Sequence, residues 1–213
     1  TTHPSAINLL DKSNVWFMPN PVDKMFDNLN VYKNKNFKYD LFFAMSHGVH
    51  RGTLKKGKID KREEFINKLT RHGNEIRYNL HGFNNNQPIW SEEFKLKLKT
   101  SKMALNLSQG DSIKFYSSDR IAQLIGNGIL TFVDIKTQLN KILTNKEVVF
   151  FKNHKDLFNK IMILKDNNAL RIKIAKSGMI KYHKFINSTL VAEYIIYKTF
   201  NHKYKKKYLW EYK

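Results

Sequence analysis

The chain has no cysteine, and among its 213 residues proline occurs four times and glycine nine times. The lack of cysteine excludes disulfide bonds and thiolate metal ligands, and it is compatible with a reducing compartment. Acidic residues are fewer than basic ones: the chain has 18 aspartates and glutamates and 38 lysines and arginines, which gives a formal net charge of +20. A surface of this charge attracts polyanions such as nucleic acids, anionic lipids and nucleotide diphosphates.

Long apolar runs and several familiar cofactor motifs are also missing. No run approaches the roughly 20 apolar residues that span a bilayer, so we expect a soluble or peripheral protein. The eight histidines show no metal-ligand spacing, and we therefore expect no metal. Neither a Gly-x-x-x-x-Gly-Lys-Ser/Thr loop nor a strand-coupled Gly-x-Gly-x-x-Gly occurs, which argues against nucleotide hydrolysis and nicotinamide chemistry.

Strand and helix patterns alternate along a chain that is 41% hydrophobic, enough for the core of one domain. The apolar runs predict five strands, at residues 39–45, 75–80, 103–107, 129–134 and 147–151. Helical spacing falls between and after them, at residues 61–69, 92–101, 155–164, 167–184 and 188–200 and just before Gly128. This alternation predicts an α/β fold, a Rossmann-like parallel sheet with helices on both faces.

The ends of the chain differ from this body. Residues 14–18 have a strand pattern, which the run Pro19-Asn-Pro-Val-Asp23 ends. We predict that residues 1–23 are the end of a preceding domain with its linker, that residues 24–186 form the Rossmann-like domain, and that residues 187–213 form a C-terminal helix and basic tail.

The most informative segment is a strand–loop–helix–strand unit over residues 102–134. Its loop places Ser118, Asp119 and Arg120 at the start of the helix. Ligands of open α/β sheets bind at this kind of loop. An arginine in the first turn opposes the helix dipole but is useful beside a bound phosphate, so the local conflict indicates a site.

This segment resembles the nucleotide-sugar-binding half of GT-B glycosyltransferases, both the group 1 family and the bacterial fucosyltransferases. The group 1 pattern has an acidic residue five positions before the glycine that follows the helix, where this chain has Gln123. The fucosyltransferase pattern has a Tyr-x-Thr-Glu-Lys run, which Tyr116-Ser-Ser-Asp-Arg120 fits with a chemically similar residue at each replaced position. The resemblance implies that Asp119 accepts hydrogen bonds from ribose hydroxyls and that Arg120 neutralises the diphosphate.

Two further features extend the resemblance. The run Pro19-Asn-Pro-Val-Asp23 resembles the linker between the two domains of group 1 enzymes. Arg62 opens a helix after the first strand, as does a phosphate-contacting arginine of the fucosyltransferases. An exposed arginine among neighbouring lysines is the alternative for Arg62, and Arg51 competes with it for the same role.

The remaining candidate donor-binding residues follow strand ends or flank the loop. Gly48 could let the backbone approach a ligand, although turn geometry explains it equally well. Phe83 could stack on a base or belong to the core, and Tyr116 could flank the nucleotide or pack beneath the loop. Other candidates follow the first and third strands, open the helix or lie within it. Together with the residues just named, they make the set Ser46, Gly48, Phe83, Asn106, Tyr116, Ser118 and Gln123.

The resemblance implies a glycosyltransferase domain that binds a UDP- or GDP-linked sugar for transfer to a glycan or lipid-linked acceptor, with no metal or other cofactor. The alternative is a non-catalytic basic module that binds polyanions or nucleic acid, with an affinity that falls steeply with salt. We expect a cytoplasmic protein, with the inner face of the membrane as a candidate surface for its basic clusters. Residues 1–18 are too short for an acceptor domain, so we expect donor binding with little transfer. The transferred sugar, hexosyl or fucosyl, and the stereochemistry stay open.

Overall fold

The computed structural model describes residues 15–45, 61–82, 84, 86–108, 112–116, 118–201 and 207–211. These contain five strands: β1 (Tyr39–Ala44), β2 (Tyr78–His81), β3 (Ser101–Asn106), β4 (Leu130–Asp134) and β5 (Val149–Phe151). They also contain six α-helices: α1 (Lys61–Thr70), α2 (Ser91–Lys99), α3 (Arg120–Gly126), α4 (His154–Asp166), α5 (Asn168–Phe185) and α6 (Ser188–Thr199). None of these helices has the length and apolar character needed to cross a membrane.

The strands form one parallel sheet in the order β2-β1-β3-β4-β5. Leu41 of β1 pairs with Tyr78 on one side and Met103 on the other. The predicted Rossmann-like parallel sheet is therefore confirmed. The chain leaves β1 towards β2 on one side and later adds β3 on the other, so the β1/β3 junction is the topological switch point. In open α/β sheets, ligands bind outside the carboxyl ends of the strands at this junction.

Helices cover both faces of the sheet because successive strand residues point to opposite sides. On one face, Leu41 and Phe43 of β1 pack with apolar residues of α1 and α4. On the other, Phe42 and Ala44 pack with α2 and α3. All residues of β1 after Tyr39 are buried, which explains its near-continuous apolar sequence.

The segments before and after the α/β body meet. Val22 forms a bridge with Asn187, and its N–H donates to the Ile186 carbonyl at 3.0 Å. Tyr208 and Trp210 are buried in the same cluster as Val22. The predicted strand at residues 14–18 is wrong for the described residues 15–18, which form no strand. Phe17 there packs by its side chain against the cluster around Val22, and its backbone does not join the sheet.

Three strands begin later than the sequence predicts: β2 at residue 78, β4 at residue 130 and β5 at residue 149. Before β5, the Glu147 N–H donates to the Thr144 carbonyl at 3.0 Å. The Glu147 carboxylate in return accepts from the Thr144 N–H at 2.7 Å. This turn includes Glu147 and Val148, which the pattern assigned to the strand.

Candidate functional site

The switch point brings two arginines to the same edge of the sheet. Arg62 is the second residue of α1, which lies on one face, and Arg120 is the first residue of α3, which lies on the other. Both are buried, with 7% and 9% of their surface exposed. Repulsion from Arg62 contributes to a lowered pKa of Arg120, so the two guanidinium groups interact electrostatically across the crevice. The structure thus places together the two cations singled out in the sequence.

The Arg120 guanidinium is enclosed by protein. Its Nη1 donates to the Leu107 carbonyl at 2.8 Å, and its Cζ lies 5.3 Å from the centroid of the Phe43 ring. Burial, followed by repulsion from Arg62, lowers the pKa of Arg120 to about 10, and the charges of Asp119 and Tyr116 act in the opposite direction. The group still carries its charge at neutral pH. A desolvated cation of this kind gains strongly from an anion that reaches it.

The loop before α3 is shaped as its sequence predicts. Asp119 is the N-cap residue, and its Oδ1 accepts from the Arg120 N–H at 3.0 Å. The Ser118 carbonyl accepts from the Ile121 N–H at 3.1 Å, and the Tyr116 N–H donates to the Ile113 carbonyl at 3.0 Å. These bonds direct Asp119 and Arg120 towards the crevice.

A first cavity, of about 330 Å³, opens between the end of β1 and the starts of α2 and α3. We call it the aromatic cavity. Phe26 and Trp90 contribute to its lining and are 66% and 62% exposed. The rest of its wall is Asp27, Ala44, Met45, Ile89, Ser91, Phe94, Lys95, Asp119, Arg120, Gln123 and Asn127. The cavity therefore combines aromatic and aliphatic side chains with polar and charged ones that can orient a small molecule.

A second cavity, of about 310 Å³, lies by the start of α1 and the ends of β3 and β4. We call it the polar cavity. Its lining includes the buried Asn106 and three cations, Lys61, Arg62 and Lys136, against one acidic residue, Asp134. The remaining lining residues are Phe65, Leu107, Ser108, Ser112 and Thr137. Such a lining suits phosphate oxygens and sugar hydroxyls.

The acidic residue of the polar cavity is held by two contacts. Asp134 Oδ2 accepts from the Ser112 hydroxyl at 2.6 Å, and Oδ1 accepts from the Lys136 N–H at 2.9 Å. The carboxylate is thus turned towards the loop after β3. In the part of the chain that the structure describes, no three histidine, aspartate or glutamate side chains group as a metal site.

The candidate residues of the sequence fall into three places. Asp119, Arg120 and Gln123 line the aromatic cavity, and Arg62 and Asn106 line the polar cavity. Tyr116 and Ser118 lie in the loop before α3 and line neither cavity. The others lie outside the described residues: Ser46, Gly48, Arg51 and Phe83.

Asp27 and Asn127 are site residues that sequence reasoning missed. Asp27 Oδ1 accepts from Asn127 Nδ2 at 3.1 Å, and Asp27 Oδ2 accepts from the Asp23 N–H at 3.0 Å. Asn127 Oδ1 in turn accepts from the Leu29 N–H at 3.1 Å. Burial raises the pKa of Asp27. The only available signal was the position of Asp27 just after the Pro-Asn-Pro-Val-Asp run.

Comparison of structures gives several similar folds. A crystal structure of TarM superposes with a TM-score of 0.61 at 11% identity, over 89% of this chain and 39% of the TarM chain. The C-terminal domain of the group 1 glycosyl transferase LpcC from Francisella tularensis gives 0.49 at 13% identity, over 79% and 100% of the two chains. Sucrose-phosphate synthase from Thermosynechococcus elongatus gives 0.48 at 11% identity, over 66% and 34%. The chain thus spans well under half of the TarM chain, and at this identity the likeness shows the fold alone.

Comparison of sequences gives the family. No curated protein sequence matches the chain. A family model described as glycosyl transferase-like matches residues 60–196, which is more than half of the chain and includes both arginines of the switch point. The resemblance of residues 116–120 to the fucosyltransferases stays a prediction. The chain belongs to the glycosyl transferase-like family and has the Rossmann-like fold of GT-B glycosyltransferases.

Proposed function

We propose that this chain binds the nucleotide-diphosphate sugar donor of a GT-B glycosyltransferase, with the diphosphate between Arg62 and Arg120. The observation that carries the proposal is the pair of buried arginines at the switch point, close enough that one lowers the pKa of the other. Strongly perturbed groups in a cleft are candidates for function. A diphosphate relieves the repulsion, and each planar guanidinium can bind two of its oxygens.

The two cavities suggest how the donor lies across the crevice. A nucleobase needs flat apolar surfaces for its two faces, which the aromatic cavity offers through Phe26, Trp90 and Phe94. A sugar needs hydrogen-bonding side chains, which the polar cavity offers through Asn106 and its neighbours. Asp119 lines the aromatic cavity beside Arg120, which supports a role for its carboxylate in binding the ribose hydroxyls between base and diphosphate.

The same arrangement supplies a way to assist transfer. Negative charge accumulates on the diphosphate as the glycosidic bond breaks, and cations fixed beforehand stabilise that charge more in the transition state than in the ground state. Arg120 is held by the Leu107 carbonyl and the Phe43 ring, so it needs little reorganisation. In this proposal the arginines carry the leaving-group charge without a metal ion. Transfer to a glycan or lipid-linked acceptor is part of the proposal.

The test is a calorimetric titration of the chain with GDP, UDP and their sugars at about 150 mM salt, where the Debye length is about 8 Å. We expect saturable binding of one nucleotide per chain and weaker binding of inorganic pyrophosphate, which lacks the nucleoside. A polyanion-binding module would instead bind pyrophosphate and heparin regardless of the nucleoside, with an affinity that falls steeply with salt. Absence of saturable nucleotide binding would overturn the proposal.

A further inference from the structure

We infer that the nucleotide of the donor is guanosine diphosphate and that the Asp27 carboxylate in the aromatic cavity recognises the guanine edge. This inference rests on the proposed function, because it concerns the same site. It starts from Asp27, the acidic lining residue that precedes β1 in the chain; the other described acidic residue of the cavity, Asp119, lies in the loop before α3.

The Asp27 carboxylate is held in a defined orientation. Its two oxygens each accept one hydrogen bond, from Asn127 Nδ2 at 3.1 Å and from the Asp23 N–H at 3.0 Å. Asn127 is itself fixed, because its Nδ2 also donates to the Gln123 carbonyl at 2.8 Å and its Oδ1 accepts from Leu29. An ionised carboxylate has about four lone-pair positions, so each oxygen can accept one more donor from the cavity. Partial burial raises the pKa of Asp27, and such a carboxylate gains from added donors.

The bases differ in what they offer to a fixed carboxylate. Guanine presents two adjacent donors, N1–H and the 2-amino group, which match the two oxygens. Uracil presents a single N3–H between two carbonyl oxygens, and these would lie against the carboxylate. Adenine and cytosine each place an acceptor nitrogen beside their amino group. Asp27 therefore favours guanine and disfavours the alternatives by repulsion. The guanine carbonyl needs a donor, and Lys95 and Gln123 line the same cavity.

The aromatic walls of the cavity favour a large flat ligand. Trp90 occupies the N-cap position of α2 and makes no side-chain capping bond, although serine, threonine, aspartate or asparagine would stabilise that position. The following residue, Ser91, has a φ of 51°, a strained conformation for a side chain other than glycine. Backbone strain of this kind clusters at ligand-binding sites. Trp90 and Phe26 present exposed faces at the cavity, and the two-ring purine covers more of such a face than a pyrimidine does.

A titration of the unmodified chain with GDP, UDP and inosine diphosphate tests the inference. Inosine diphosphate lacks only the 2-amino group, so it removes one of the two donors without a mutation. We expect GDP to bind at least about tenfold more tightly than either UDP or inosine diphosphate, the loss typical of a hydrogen bond to a charged group. UDP binding as tightly as GDP would overturn the inference and leave the proposed function standing. Failure of every nucleotide to bind would overturn both.

The variant Asp27→Asn keeps the size of the side chain and replaces one acceptor oxygen with a donor. We expect it to lose the preference for GDP over UDP and to bind xanthosine diphosphate more tightly than the unmodified chain does, because xanthine carries a carbonyl where guanine has its amino group. Asp23→Asn is the matched control. It makes the same change in the same turn, where Asp23 accepts from the Met25 N–H and the Ser188 hydroxyl. We expect this control to retain the preference for GDP.

An Asp27→Asn chain that keeps the full preference for GDP over both UDP and xanthosine diphosphate would overturn the inference. If the variant does not fold, the comparison of GDP with inosine diphosphate on the unmodified chain decides. Equal affinity for those two nucleotides contradicts recognition of the guanine edge by a carboxylate.

Discussion

Replacing Arg120 with methionine separates binding from stability. Methionine keeps an unbranched stem against the core while it removes the guanidinium. We expect the Arg120→Met chain to fold with nearly unchanged stability and to bind nucleoside diphosphates about 10- to 100-fold more weakly, the loss expected for a charged hydrogen-bonding partner of phosphate.

The expected stability follows from two opposing contributions. The pKa of Arg120 falls from 12.5 to about 10. Both values lie above 7, so Arg120 is charged in the folded and unfolded states at neutral pH. The free-energy cost of keeping this charge in the folded protein is therefore fully present. At 1.36 kcal/mol per pKa unit, it amounts to about 3 kcal/mol. Removing the guanidinium relieves this penalty but loses the bond to Leu107, about 1.5–3 kcal/mol, and the contact with Phe43, about 0.5–2 kcal/mol. The net change in the free energy of unfolding is therefore within about 2 kcal/mol.

Urea denaturation gives the stability, and calorimetric titration with GDP and UDP gives the affinity. Arg71→Met is the matched control, because Arg71 is exposed and lines neither the aromatic nor the polar cavity. We expect this control to change neither quantity. A loss of more than about 3 kcal/mol in Arg120→Met, the range seen when a buried ion pair is broken, would refute the reasoning and assign the residue a structural role. Unchanged nucleotide affinity would refute it equally.

Three further predictions concern other parts of the molecule. Replacing Arg62 with methionine weakens diphosphate binding. In the double variant Arg62→Met and Arg120→Met, the loss of binding free energy departs from the sum of the two single losses by at least about 0.5 kcal/mol, because both arginines contact the same diphosphate; a calorimetric double-mutant cycle checks this. Gly178→Ala lowers the free energy of unfolding by about 1–3 kcal/mol in urea titration, since its Cβ would lie 2.4 Å from the Glu147 carbonyl oxygen. Desolvation and the neighbouring His72 lower the pKa of His154 below its ordinary value of 6.5. Just below pH 6.5 the unfolded chain therefore binds more protons than the folded chain, and the free energy of unfolding falls as the pH drops through that range. The variant His154→Gln reduces this fall, which denaturation at pH 7 and pH 5 measures.

The sheet could be predicted from sequence because its pattern is local. The buried strand β1 is almost continuously apolar, and β3 has an apolar run at residues 103–105. The helix that begins at Arg120 follows a polar loop and precedes Gly128, whose φ of 72° ends it. The alternation does not give the order of the strands in the sheet, so the β1/β3 switch point was not predicted. The burial of Arg62 and Arg120 could not be read this way, because it depends on how α1 and α3 meet across the crevice.

The aromatic cavity shows what local patterns miss. Its acidic residue Asp27 and its amide Asn127 are hydrogen-bonded across 100 positions of sequence, and no periodicity relates them. Trp90 precedes a helix at a position where the propensity rules favour a small polar residue. This departure of Trp90 from local preference is a sequence signal of the same kind as the arginine at the start of α3.

A crystal structure of the chain with bound GDP tests the central claim most directly. We expect the diphosphate at the carboxyl ends of β1 and β3, with its oxygens about 2.7–3.2 Å from guanidinium nitrogens of both Arg62 and Arg120. A nucleotide bound away from this crevice, or one whose phosphates contact neither arginine, would contradict the account.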